Sequence, residues 1–450
     1  MTIKHIFEPE KVAVIGASSD STKLGFTILE NILRAGYKGT IYPINPKAEK
    51  VQGIKAFPSI LDIPDPAIDF AILIIPARLV PSTMEQCALK KVKGVVVISG
   101  GFSEVGNKKD EDAFLEIAKK NGIRVVGPNC QGINNPYLGL NATWPLITVK
   151  GPISIISQSG TVYAAIEMWA EEEGIGISKA VALGNKRDVD EIELIDYLSK
   201  DPTTKVVAVY SEGLSNGRKF MQILQKAIKK KPVVILKPGR TEIGAKAVFS
   251  HTKTFAGKDM VYDGSFKQCG AIRANTLENL YDMSKALAFL PPLKGRRILI
   301  VTSSGGAGVL AADILEEVNL EMPSLPENIK SKLQGKLPDF CILKNPLDLT
   351  GSANAELYEI VLKYTLSSNE YDGYILIYGD PIPYACKFVA PLILNQEKPV
   401  VTSYLGGGVV QTIEISEFHK KGIPVYPTSE RAVIGLNALN SYSEFIKLKK

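Results

Sequence analysis

Histidine is scarce in this 450-residue chain, which has three. Cysteine is nearly as scarce: its five residues, at positions 87, 130, 269, 341 and 386, show no paired spacing of a zinc site. So few thiols in so long a chain fit the reduced state of a cytoplasm, and no metal site is readable. Long apolar runs are also missing. Stretches such as Ala71 to Pro76 have strand length and are much too short to span a bilayer. Met1 to Pro9 lacks the apolar core of a signal peptide, so a soluble, cytoplasmic protein is expected. Neither sign of charge dominates. The net charge is +6, and the basic runs are as short as Lys229–Lys231 and Lys447–Lys450, which gives no case for nucleic acid or a membrane as partner.

What is present is ordinary for a folded enzyme. Hydrophobic residues make up 45% and charged residues 22%, and the length suits about three domains, each with its own core. Periodicity and breakers divide the chain at 1–145, 146–290 and 291–450, the last boundary at Pro291-Pro292-Leu293-Lys294-Gly295.

In the first region, Lys11 to Ile15 reads as a β-branched strand, Gly16-Ala17-Ser18 as a tight loop, and Leu24 to Ala35 as an amphipathic helix. Apolar runs at Thr40–Ile44, Phe70–Ile75, Gly94–Ile98 and Ile123–Val126 alternate with helical patterns at Pro81–Lys91 and Asp110–Asn121. That alternation predicts a parallel Rossmann-type sheet with its ligand at the strand carboxyl ends. Where an NAD site carries an acid after the second strand, this chain has Tyr42-Pro43-Ile44-Asn45-Pro46-Lys47. Lys47 favours a ribose phosphate, which suits coenzyme A, with NADP as the rival.

In the second region, Ile153 to Ser157 reads as a strand feeding Gln158-Ser159-Gly160-Thr161 and a helix from Val162 to Glu173. Hydroxyls and free amides at a helix start make either a phosphate pocket or an ordinary cap, and spacing leaves both open. The acids of Gly184-Asn185-Lys186-Arg187-Asp188-Val189-Asp190 suit a metal or a cap for a helix from Asp190 to Leu198, and the cap is favoured. The strand Lys205 to Tyr210 delivers Ser211-Glu212-Gly213. A carboxylate there can orient a histidine, although an exposed loop glutamate is the commoner fate.

Among the three histidines, only His251 sits among small residues, hydroxyls and glycines, in Gly239 to Asp259, without apolar periodicity. The stretch reads as a loop presenting His251, and a neutral imidazole is a good nucleophile that can be phosphorylated. The third region repeats the strand-loop-helix device: Arg297–Val301, then Ser303-Ser304-Gly305-Gly306-Ala307-Gly308, then a helix from Val309 to Val318. Further strands are expected near Tyr374–Tyr378 and Pro399–Ser403. By itself that glycine loop suggests another nucleotide or phosphate site.

Ser250-His251-Thr252-x-x-x-Ala256-Gly257-x-Asp259, preceded by Lys237-x-Gly239-Arg240-Thr241, closely resembles the phosphohistidine segment of the nucleoside-diphosphate-forming acyl-CoA synthetases, the superfamily of succinyl-CoA synthetase. Where that family commonly has Gly-Ser-Leu after His-Thr, this chain has Lys253-Thr254-Phe255. The resemblance runs through nearly the whole chain. It implies an α/β architecture of a Rossmann-type CoA-binding domain followed by two flavodoxin-like domains. It implies CoA contacts from Gly16, Ala17, Ser18, Lys23, Gly25, Asn45, Pro46, Lys47, Pro76, Ser99, Gly101, Pro128, Asn129 and Cys130, with the last two beside the thiol end. Cys130 is read as packing rather than as a nucleophile. The resemblance further implies a phosphate-binding turn at Ser157, Gln158, Ser159, Gly160 and Thr161, with Glu212 orienting a catalytic His251. In the third domain it points mainly to subunit packing and a second phosphate-site environment, with no catalytic role.

The reaction so implied is ATP + carboxylic acid + CoA ⇌ ADP + phosphate + acyl-CoA, through phosphohistidine and acyl phosphate. The 450 residues are read as holding no ATP-grasp module. The expected arrangement is therefore an alpha subunit with a separate ATP-grasp beta subunit, as α2β2, the partner mainly holding ATP or ADP and Mg²⁺. Two rivals remain: a non-catalytic CoA-sensing subunit, and an NADP-dependent oxidoreductase.

Overall fold

Lys11-Val12-Ala13-Val14-Ile15 forms a strand because its β-branched side chains pack on both faces of a sheet, where four of the five residues are buried. In the computed structural model, residues 3–252, 258–379, 381–394 and 396–448 are described, apart from the side chains of 249–252. The chain divides into two compact units, Met1–Glu172 with Gly176–Cys269, and Glu173–Ile175 with Gly270–Lys450.

The first unit holds two large sheets, besides a small antiparallel pair of Lys50–Val51 with Ile54–Lys55. The first consists of β1 (Lys11–Ile15), β2 (Thr40–Ile44), β3 (Phe70–Leu73), β4 (Gly94–Val97) and β5 (Arg124–Val126), in the order β2-β1-β3-β4-β5. Every pairing is parallel. Such order reverses its direction of growth at β1, which opens a crevice outside the carboxyl ends of β1 and β3. Helices Leu24–Arg34, Val80–Leu89 and Lys108–Lys120 form the crossovers. Lys108–Lys120 starts where the Asn107 side chain accepts from the Asp110 amide.

The second sheet contains β6 (Ile133–Asn135), β7 (Leu140–Ala142), β8 (Lys150–Ser157), β9 (Ile177–Ala182), β10 (Val206–Tyr210) and β11 (Val233–Leu236), which run in the order β11-β10-β8-β9-β6-β7. The core pairs β8–β9, β8–β10 and β10–β11 are parallel, while β6 joins β9 antiparallel and β7 joins β6 antiparallel. Residues 133–142, read from sequence with the region before them, thus supply two strands to this sheet. Helix Gly217–Ile228 covers it with Phe220, Leu224, Ala227 and Ile228, a repeat of three to four residues. Burying each large side chain of that kind contributes about 1.5–3 kcal/mol.

The segment read as a loop around His251 is in large part helical. Glu242–Thr252 is an α-helix that carries His251 in its last turn, and Asp259–Cys269 is another. Alanine is the best helix former, and Ala245 and Ala247 outweigh the absence of an apolar stripe. The side chain of His251, and residues 253–257 altogether, lie outside the described residues.

The second unit carries the strands β12 (Ile298–Thr302), β13 (Leu347–Asp348), β14 (Gly373–Tyr378), β15 (Val400–Tyr404) and β16 (Val425–Tyr426), ordered β13-β12-β14-β15-β16 and all parallel. Its glycine turn is the start of helix Gly305–Glu317, capped by Ser304. Asn345 serves as a substitute strand partner: it donates to Ile298 O at 2.8 Å and Pro323 O at 2.9 Å, and accepts from Ile300 N at 3.1 Å. Lys285 is fully buried, 2.9 Å from Glu173 and against the rings of Tyr281 and Tyr426. A buried ammonium is tolerable because it is paired and hydrogen-bonded.

Candidate functional site

Parallel strands end with their loops on one side, and in the first unit that edge of the second sheet gathers the polar residues. After β8 comes Gln158-Ser159, and the helix Gly160–Glu172 begins at once. Ser157 Oγ donates to Ser159 O at 2.7 Å, which closes the turn, and Ser159 Oγ lies 3.2 Å from Thr161 Oγ1. After β10 comes Ser211-Glu212. Gln158 N donates to Tyr210 O at 3.0 Å, and Gln158 Oε1 accepts from Glu212 N at 2.9 Å, so the two loops are stitched together. Tyr210 OH points at Glu212 Oε1, 3.4 Å away, and burial beside that carboxylate pushes the phenol's pKa up. Glu212 is 4% exposed, so it is not the exposed loop glutamate that its type most often becomes.

After β9, the loop Leu183–Val189 crosses to the first sheet. Asn185 N donates to Pro128 O at 2.9 Å, Arg187 N to Gly127 O at 3.2 Å and Val189 N to Val125 O at 3.1 Å. Asn185 Nδ2 reaches Glu104 Oε2 at 2.7 Å, and Glu104 also accepts from the amides of Gly101 and Phe102. These bonds hold the Glu104 carboxyl below its usual range despite partial burial, which acts the other way. Lys186 Nζ is held by Glu191 at 2.9 Å and by Gly213 O.

The result is a cavity of about 810 Å³ lined by Ile98, Ser103, Glu104, Lys108, Asn129, Cys130, Gln131, Trp144, Gln158, Ser159, Gly160, Thr161, Gly184, Asn185, Lys186, Arg187 and Glu212. Seven residues expected from sequence therefore share one wall: Asn129, Cys130, Gln158, Ser159, Gly160, Thr161 and Glu212. Glu104, Gln131, Trp144 and Asn185 also belong to it and were missed. Two of them carried a signal: Gln131 directly follows Asn129 and Cys130, and Asn185 lies in the Gly184–Asp190 stretch singled out for its acids.

Cys130 is buried, with Sγ 3.4 Å from Val97 O, and burial pushes its thiol pKa up to about 12. A thiol so reluctant to ionise is a packing group, not a nucleophile at neutral pH. Asp190 caps Glu191–Leu198 by accepting from Ile192 N at 3.0 Å and Glu193 N at 3.1 Å. Asp188 is taken by Arg124, at 3.0 and 3.1 Å. Among the described residues, no group of three or more His, Cys, Asp or Glu side chains is placed to hold a metal ion.

Ser157, the last residue of β8, and His251 apart, the other sequence-expected residues lie along the carboxyl edge of the first sheet, outside that cavity wall. Gly16 has φ +96°, and a Cβ there would sit 2.2 Å from Ile74 O; one on Gly25 would sit 2.0 Å from Gly16 O. Only glycine allows so close a strand-turn-helix approach. Asn45 Nδ2 donates to Ala17 O at 2.8 Å, and its Oδ1 accepts from Lys47 N at 2.8 Å, so the loops after β1 and β2 are joined. Ser18 Oγ accepts from Asp20 N at 3.0 Å, while Lys23, Pro46 and Lys47 face solvent. Pro76 starts the turn after β3, Ser99 is hydrogen-bonded to Ile75, and Asn129 N donates to Ser99 O at 2.9 Å. Gly101 follows in a left-handed conformation, and Pro128 precedes Asn129.

Comparison with known proteins decides what this arrangement belongs to. Residues 10–136 match the CoA binding domain, 150–287 the succinyl-CoA ligase like flavodoxin domain, and 298–445 the ligase-CoA domain. The chain is 38% identical to the acetate–CoA ligase (ADP-forming) I subunit alpha of Pyrococcus furiosus, covering 99% of this chain and 98% of that one. The chain belongs to the ADP-forming acyl-CoA ligases, as an alpha subunit. It is an acid–thiol ligase subunit with a CoA-binding domain, and an alpha subunit implies a partner. The acetate–CoA ligase (ADP-forming) of Methanocaldococcus jannaschii is 40% identical over all of this chain, which spans 64% of that protein. Another member of known structure is the dinucleotide forming acetyl-coenzyme A synthetase 1 of Ca. Korarchaeum cryptofilum, in complex with phosphate and ADP. It superposes with a TM-score of 0.92 at 36% identity, covering 99% of this chain and 98% of that one. Among the described residues of this ligase subunit, no helix is long and apolar enough to cross a membrane.

Proposed function

We propose that this subunit performs the acyl-transfer half of the reaction ATP + carboxylic acid + CoA ⇌ ADP + phosphate + acyl-CoA, on a small carboxylic acid. The observation that carries the proposal is the single cavity where the Ser159–Thr161 turn, Glu212 and the Asn129–Cys130 segment meet. Phosphate sits at the Ser157–Thr161 turn, where the first amides of helix Gly160–Glu172 and the hydroxyls of Ser159 and Thr161 favour an anion, while Ser157 holds the turn closed through its bond to Ser159 O. Gln158 and Glu212 are locked to each other beside it, and the buried Glu212 carboxylate orients His251 and stabilises the charge that grows on its ring.

His251 takes the γ-phosphoryl group from ATP held by an ATP-grasp beta subunit, which also supplies the Mg²⁺ ligands. The segment then brings phosphohistidine to the turn. A carboxylate oxygen of the acid attacks phosphorus and the imidazole leaves, which gives acyl phosphate. The CoA sulfur then attacks the acyl carbon, phosphate leaves with the C–O bond pair, and the thiol proton passes to solvent or phosphate. The two phosphoryl transfers are in-line displacements at phosphorus and the thiolysis is addition–elimination at the acyl carbon, so an activated group is kept throughout. CoA itself lies along Gly16-Ala17-Ser18, Lys23, Gly25, Asn45-Pro46-Lys47, Pro76, Ser99, Gly101 and Pro128, with its thiol at Asn129 and Cys130. We further assign domains to 1–145, 146–290 and 291–450, a cytoplasmic location and an α2β2 assembly. The P. furiosus relative supports a separate partner, because it is itself a subunit alpha and 98% of it matches this chain.

The test is intact mass after incubation with the beta subunit and Mg-ATP. Gain of one acid-labile phosphoryl group mapping to His251, and loss of both label and turnover in His251→Asn with CoA binding intact, is the expected result. Turnover retained by that variant would sink the phosphohistidine route, and CoA binding without any phosphorylation would favour a CoA-sensing subunit.

A further inference from the structure

Gln131 is 6% exposed, yet it lines the cavity between Cys130 and the phosphate turn. Its Nε2 donates to the carbonyl of Trp144, another residue of the same wall, and this fixes which end of the amide faces which way. Oε1 is turned to the first residue of helix Gly160–Glu172: a Cβ built on Gly160 would lie 2.8 Å from it. No described residue donates to this oxygen. It is an unpaired acceptor presented to a ligand cavity by a side chain that is otherwise buried, and such a group favours a ligand that pairs with it.

An acceptor at this place does not suit phosphate, which is itself rich in acceptors. Resting on the ligase reading above, the acyl carbon has to lie between the phosphate turn and the thiol end at Asn129–Cys130, and Gln131 stands between the two. We propose that Gln131 Oε1 receives a hydrogen bond from the acyl group, so that the acid this enzyme prefers carries a hydroxyl on its chain or ring. Ile98 and Trp144 supply the apolar remainder of the pocket. The logic is that of any site built around a donor: the analogue lacking it leaves a buried acceptor unpaired and is rejected more strongly than a missing methylene would be.

The holoenzyme, this chain with its beta subunit, is to be assayed with CoA and Mg-ATP on two sets of acids. One set is butyrate with 2-, 3- and 4-hydroxybutyrate, the other phenylacetate with 4-hydroxyphenylacetate. At least one hydroxylated acid should exceed its parent in kcat/KM by about 10-fold or more. Gln131→Leu should bring that ratio close to one. If no hydroxylated acid exceeds its parent in the wild type, the proposal is overturned without recourse to any variant. It is equally overturned if Gln131→Leu lowers every kcat/KM by the same factor, since the side chain then serves the CoA end. Failure of the ligase reading shows separately, as a wild-type chain that Mg-ATP does not phosphorylate, and the proposal falls with it.

Discussion

Glu212 and Gln158 sit in the loops that follow two adjacent strands and are tied by one bond, from the backbone amide of the first to the side-chain oxygen of the second, at 2.9 Å. Gln158 thereby sets where the Glu212 carboxylate stands relative to the phosphate turn. Gln158→Leu keeps the volume and removes the acceptor, leaving the Glu212 amide unpaired. A displacement of about 1 Å in a positioning group costs on the order of 100-fold in rate. We expect kcat to fall ~10- to 100-fold with the affinity for CoA little changed. Steady-state kinetics beside CoA calorimetry would check this, and a variant with full kcat would show that Glu212 needs no such anchor.

Gly184 joins the two sheets of the first unit. It has φ +55°, and a Cβ there would lie 2.3 Å from the carbonyl oxygens of both Asn129 and Pro128. Those atoms are backbone and cannot turn away. Gly184→Ala therefore pushes the Pro128–Cys130 segment off the Gly184–Arg187 loop and separates the thiol end of the site from the phosphate turn. Loss of at least ~10-fold in kcat/KM for CoA is expected, with ~2–4 kcal/mol of stability lost through strain at a left-handed position. Ser215→Ala, in the loop after β10, is a control for handling and expression.

Cys130 invites a covalent mechanism by its position alone, and its environment argues against one. With its pKa near 12 from burial, it is almost wholly un-ionised at pH 7. Cys130→Ala should lower turnover by less than about 10-fold, through a small cavity costing ~1–2 kcal/mol. No acyl group should be found on the wild-type thiol after acid quench. A thioester at Cys130, detected by mass, would overturn the assignment.

The contrast between these positions shows which parts of the site the sequence could reveal. Ser157–Thr161 and Asp190 were readable because their chemistry is local: a hydroxyl-rich turn or an acid immediately ahead of an apolar-patterned helix satisfies amides a few residues away. The strand-loop-helix alternation exposed the parallel sheets for the same reason. Strands β6 and β7 were not readable, since three-residue strands carry no usable period and their place is set by pairing with β9. Helix Glu242–Thr252 was taken for loop because it lacks an apolar stripe, although its composition favours helix. Glu104 and Asn185 meet across 81 positions of sequence at 2.7 Å, and nothing near either residue announces the other. Contacts of that kind belong to the approach of two sheets.

Behind the phosphate turn, helix Gly160–Glu172 buries Glu167 completely, and the loss of hydration raises its pKa to about 8. Asn134 Nδ2 bonds its Oε1 at 3.2 Å, and the nearby Tyr163 hydroxyl also favours the charged form, but neither offsets the burial; nearby Glu171 adds to the rise. The unfolded chain releases this proton near the ordinary value of 4.5, whereas the folded chain keeps it to about 8. Between those limits the native state binds more protons, so the stability contributed by the neutral acid is complete below the lower value and is lost as pH climbs through the upper one. Glu167→Gln does not titrate. The unfolding free energy of wild type minus that of Glu167→Gln should therefore decline by a few kcal/mol from about pH 5 to 8 and level off above. Urea midpoints for both proteins at four pH values would measure it. A difference that stays flat would mean that Glu167 is ionised in the folded chain and that the polar side chains around it solvate the charge.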